Sequence, residues 1–135
     1  MAKNLILLKF DFDNEKKYTE ESMETLRNVY LGDDIYKQIT DTINLATLKV
    51  FDEKDSNEYS ELDCILDEDI PKICSIIKNT ILEKFLSFHN KTEANIKENL
   101  ETDIKEIRII TNIYDLLEKK LIAYGSDKNV VVKIG

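Results

Sequence analysis

The stretch LATLKVFDEKDSNEYSELDCIL, residues 45–66, decides whether this chain is purely helical or mixed. Leu45 to Phe51 combines β-branched and aromatic residues, and Leu62, Cys64 and Leu66 alternate with polar neighbours over Glu58 to Leu66. Both are strand features. Asp52 to Asn57 supplies turn chemistry between them. Leu45 to Phe51 could instead prolong the helix that precedes it; the alternation favours a hairpin.

Upstream, Asp33 or Asp34 caps a helix with Ile35, Ile39, Ile43 and Ala46 on one face. Before it, Thr19 is a plausible cap for a short helix carrying Met23, Leu26, Val29 and Tyr30, which Gly32 closes. Asn4 to Asp13 reads as a strand, with Ile6, Leu8, Phe10 and Phe12 forming its apolar face and Leu5, Leu7, Lys9, Asp11 and Asp13 opposite. Downstream, Asp69 and Pro71 mark a helix start. Its stripe is Ile70, Ile73, Cys74, Ile77, Ile81, Phe85 and Phe88, ending near His89.

Asn90 or Thr92 breaks and recaps the chain. Leu100, Ile107, Tyr114 and Leu121 then recur every seven residues, as do Ile110, Leu117 and Tyr124, with Asp103 the polar exception. One helix from Thr92 to Tyr124 would be about 50 Å long; the alternative is a break near Arg108 with a strand over Ile107 to Ile113. Asn129 to Ile134 reads as a closing strand able to pair with the first. The expectation is one α+β domain spanning residues 1–135. Two long C-terminal helices dominate it, beside a small antiparallel sheet of terminal strands and central hairpin.

Charge is unevenly placed. The chain has 27 acids and 19 Lys and Arg residues, for a net charge of −8. Nine of those acids, Asp52, Glu53, Asp55, Glu58, Glu61, Asp63, Asp67, Glu68 and Asp69, lie in one segment whose single base is Lys54. That segment carries the whole net charge, and elsewhere the signs balance. Such a patch steers and holds a basic surface. Carboxylates in a row can also imitate a phosphate backbone.

Several chemistries find no pattern. Three glycines, Gly32, Gly125 and Gly135, cannot build a phosphate-cradling loop. The single histidine, His89, suits a helix C-terminus better than a triad or zinc site. Asp52, Asp55, Asn57 and Glu58 raise the question of calcium. Lys54, Asn57 and Asp63, however, occupy positions where an EF-hand loop needs an oxygen, a glycine and a bidentate glutamate. Asp11 and Asp13 fall on a solvated strand face. Lysines are dispersed and Arg27 and Arg108 are the only arginines, so direct nucleic-acid binding is not expected. Cys64 and Cys74, ten apart, read as reduced thiols. Apolar runs such as Leu5 to Leu8 are far too short to span a membrane, and the N-terminus lacks a signal peptide's apolar core. A cytoplasmic location is expected, that of the host for a phage-encoded chain.

The functional expectation is therefore a non-enzymatic binding protein without cofactor, metal or catalytic residues. An inhibitor or immunity and anti-defence factor of a phage or mobile element would fit, engaging a partner's basic surface through Asp52, Glu53, Asp55, Glu58, Glu61, Asp63, Asp67 and Glu68. The alternative is a phage structural or assembly protein self-associating through Ile107, Ile110, Tyr114 and Leu117.

Overall fold

The computed structural model describes residues 3–10, 18–19, 22–52, 58–89, 93–125, 127 and 129–135, with only the backbone of 87–89 and 93–99. Five strands, β1 (Asn4–Phe10), β2 (Met23–Tyr30), β3 (Ala46–Phe51), β4 (Tyr59–Ile65) and β5 (Val130–Ile134), form one antiparallel sheet in the order β2-β1-β5-β4-β3. Three helices, α1 (Asp33–Thr42), α2 (Ile70–His89) and α3 (Glu93–Lys119), complete an α+β domain. A short 3-10 turn at Asp67–Asp69 precedes α2, and a π-helical turn at Lys120–Tyr124 continues α3.

The hairpin is present: β3 and β4 pair from Ala46↔Cys64 to Phe51↔Tyr59. The terminal strands pair as expected, Leu5↔Ile134 to Lys9↔Val130. The long helix runs unbroken past Arg108, so the alternative strand at Ile107 to Ile113 does not form. Cys64 and Cys74 are free thiols.

Three expectations need correction. The segment read as a short helix after Thr19 is strand β2, paired with β1. Its register steps from Leu7↔Arg27 to Leu8↔Thr25, which leaves Leu26 as the extra residue of a bulge. The bulge turns Leu26 and Val29 to the same core although they lie three apart, a spacing that imitates a helix. Second, β1 is apolar on both sides. Leu5 and Leu7, assigned to its polar face, are fully buried, because a central strand is covered above and below. Third, the α2 stripe leaves the core after Ile81: Phe85 is 55% exposed, beside exposed Leu82 and Leu86.

The helices cover one face of the sheet. Leu5, Leu7, Val29, Ile65, Val132 and Ile134 pack there against Ile35 and Ile39 of α1, Ile73 and Ile77 of α2, and Ile110, Ile113 and Leu117 of α3. Each such side chain contributes about 1.5–3 kcal/mol on burial. Partly exposed ion pairs at the margin, Arg27–Asp115 and Lys84–Glu106, contribute about 1 kcal/mol or less. Apolar packing therefore sets the architecture. On the other face Leu8, Phe10 and Val50 form a second cluster with Ile6, Tyr18, Leu48, Leu62 and Val131. That cluster joins residues of β1 to residues of β3, with two strands between them in the sheet, so the sheet curls around it. Tyr18 helps to close the curl. Its carbonyl accepts the Phe51 N–H at 2.8 Å, and its ring meets Phe10 edge-on at 4.9 Å.

Candidate functional site

The curled face opens into a cavity of about 570 Å³ between the β3–β4 hairpin and β5. Its position follows from the pairing. β4 joins β5 only at Cys64↔Lys133 and Ile65↔Val132. After Ile65 the chain leaves the sheet for the 3-10 turn, so Val130 and Val131 have no strand beyond them on that side among the described residues. The opening is lined by Leu48, Cys64, Leu66, Val130 and Val131, with Tyr18 at one wall. Asp67, Glu68 and Asp127 stand around it. The cavity is open on one side rather than enclosed.

The acidic segment thus occupies the hairpin and the rim of this cavity, but its members differ. Glu58 is exposed just before β4; Glu61 and Asp63 are exposed on β4, on the face opposite to Leu62 and Cys64, and Glu61 lies across from Lys49. Lys49 in turn sits 4.7 Å over the Tyr59 ring. Glu68 is exposed at the cavity rim. Asp52 is half-buried at the end of β3 and donates its N–H to the Glu58 carbonyl at 3.1 Å. Glu53 and Asp55 lie outside the described residues.

Two acids are committed internally. Asp69 is buried and accepts from Lys72 at 3.2 Å. Asp67 pairs at 3.1 Å with Lys120, whose side chain is almost wholly buried and also donates to the Gly125 carbonyl at 2.8 Å. This pair fastens the 3-10 turn to the π-helical turn, fixing one wall of the cavity. A buried ammonium needs such partners, because desolvation without them costs several kcal/mol. The separation of 53 residues gave no local signal for it.

Burial acts on two thiols and one hydroxyl: Cys64 and Tyr18 at the cavity, and Cys74 against the helix-side core. Burial pushes the Cys64 thiol up to about 11; Asp63 raises it further and Lys133 opposes. Burial raises the Cys74 thiol, with Lys78 opposing and Glu118 adding, and burial likewise raises the Tyr18 hydroxyl, assisted by Cys64 and Asp127. Protonated thiols are poor nucleophiles and poor metal ligands. Among the described residues no group of three or more His, Cys, Asp or Glu could hold a metal ion. No helix among them is long and apolar enough to cross a membrane. The side chain of His89 is outside the described set.

The helical seam behaves differently. Ile110 and Leu117 are buried inside the molecule, while Ile107 and Tyr114 are half-buried, the latter beneath Lys78 at 5.6 Å. The apolar side chains left exposed lie farther out, at Leu82, Phe85 and Leu86 of α2 and Leu100 and Ile104 of α3.

Comparison of the chain with protein-family models, curated proteins and solved structures finds no match.

Proposed function

We propose that this chain is a small, non-enzymatic binding protein that engages a basic surface of a partner protein through its acidic hairpin and the adjoining cavity rim. The observation that carries the reading is that Glu58, Glu61, Asp63 and Glu68 are all solvent-exposed within the segment 52–69, which carries the whole net charge of the chain. Exposed like charges on neighbouring positions repel one another and do not aid folding, so a role in steering a cationic partner accounts for their retention. An inhibitor or anti-defence factor of a phage or mobile element, acting in the cytoplasm, fits this chemistry. Its target would be the basic, nucleic-acid-binding surface of another protein.

Capture of the partner from the native host, followed by titration with salt, tests the proposal. Affinity falling steadily with ionic strength is expected. Salt-insensitive affinity would contradict it. Assembly through the helices is the second reading. The exposed Leu82, Phe85, Leu86, Leu100 and Ile104 favour it, whereas Ile110 and Leu117 of the expected seam are already covered. Light scattering separates the two: a stable multiple of 15.7 kDa, unaffected by salt, would support assembly.

A further inference from the structure

We infer that the cavity beside the acidic hairpin receives a single large apolar side chain of the partner, presented in a segment whose neighbouring residues are Lys or Arg. The inference rests on the proposed reading and specifies the ligand. Three observations carry it. The space is large enough for a bulky side chain and part of the backbone bearing it, at about 570 Å³, and falls within the range of occupied ligand sites. Its floor is apolar, made by Leu48, Cys64 and Val131, and Leu66 stands at the mouth 45% exposed. Its rim carries Glu68 and Asp127, while Asp67 is neutralised by Lys120.

Charge complementarity selects the occupant. An apolar floor alone would accept any hydrophobe, and a carboxylate rim alone would accept any cation. Together they match a side chain that buries an aromatic or aliphatic group while its neighbours' ammonium or guanidinium groups remain at the wet edge. This is the usual anatomy of an interface anchor, an apolar centre within a polar rim. Lys133 approaches Cys64 from β5 and marks the cationic limit of the site. A segment therefore has its acidic contacts toward Glu68 and Asp127 rather than toward the end of β5.

The test is an NMR titration of the full chain with three blocked pentapeptides, KKFKK, KKAKK and EEFEE. KKFKK is expected to shift the amide signals of Thr47, Leu66, Glu68 and Val131, and to bind at least tenfold tighter than KKAKK. EEFEE should shift none of them. Leu66→Trp, which narrows the mouth, should reduce KKFKK to the affinity of KKAKK. Equal binding of KKFKK and KKAKK by the native chain would overturn the apolar anchor while leaving the electrostatic reading intact. Binding of EEFEE as tight as KKFKK would overturn the charged rim. Failure of both basic peptides to bind would overturn the inference and the proposed function together. The comparison of peptides on the native chain needs no variant, so a misfolded Leu66→Trp protein does not blunt it.

Discussion

On its helix-covered side the sheet presents Leu5, Leu7, Val132 and Ile134 to three helices, none more than 2% exposed. On its curled side Ile6, Leu48, Leu62 and Val131 are only half-buried, and a cavity remains. Both faces are apolar, but the second is filled only around Leu8, Phe10 and Val50. A packed face leaves no room for a ligand without unfolding, because protein interiors are as dense as organic crystals. The other face keeps an opening of about 570 Å³ with Glu68 and Asp127 at its rim. On the proposed reading, the packed side supplies stability and the opening on the other side receives the partner.

The largest expected effect lies on the filled side. Leu117→Ala should cost about 2–5 kcal/mol, through lost transfer energy and a cavity that cannot collapse. Leu48→Ala, on the half-buried side, should cost about 1 kcal/mol. Urea denaturation measures both, and equal losses would break the distinction between the faces.

Next in size is a pH effect confined to the curled side. Cys64 is raised in the folded protein from 9.0 to about 11. Between those values the unfolded chain releases the thiol proton and the folded chain retains it. Its contribution to stability is therefore fully present below pH 9 and is lost as pH rises toward 11. The loss amounts to about 2–3 kcal/mol at about 1.4 kcal/mol per pH unit. Cys64→Ala should flatten most of this slope, leaving a remainder of the same sign from Tyr18, which burial also raises. An unchanged slope in Cys64→Ala would show that the thiol is not shielded as the geometry implies.

A smaller effect, about 1–3 kcal/mol, is expected of Lys120→Met. The substitution keeps an apolar stem but leaves Asp67 and the Gly125 carbonyl without the ammonium. It sharpens the comparison because it loosens a cavity wall without touching the helix-side core. Hydrogen exchange should rise at Asp67 to Asp69 and not at Leu5 or Leu7.

Much of this division was legible in the residues, and the exceptions have physical causes. Alternation at Leu62, Cys64 and Leu66 revealed the hairpin, and Pro71 marked the entry to α2. The strand β2 was hidden because a bulge at Leu26 gave a strand the three-residue spacing of a helix. The double burial of β1 followed from its central place in the sheet, which is a property of long-range pairing and not of local pattern. At the site, the run of acids was plain, but its separation into exposed and committed members was not. Asp67 finds Lys120 across 53 residues, and the cavity depends on a curl that Tyr18 completes by pairing with Phe51.

The central claim is that the acidic hairpin and the cavity rim bind while the helix-side core stabilises. It is tested most directly by one quadruple variant, Glu58→Gln, Glu61→Gln, Asp63→Asn and Glu68→Gln, assayed for both properties by denaturation and by affinity for the captured partner. The account predicts unfolding within about 0.5 kcal/mol of the native protein, since these side chains are solvated. It predicts affinity weakened at least tenfold, or about 1.4 kcal/mol. Undiminished affinity in a folded variant would contradict it.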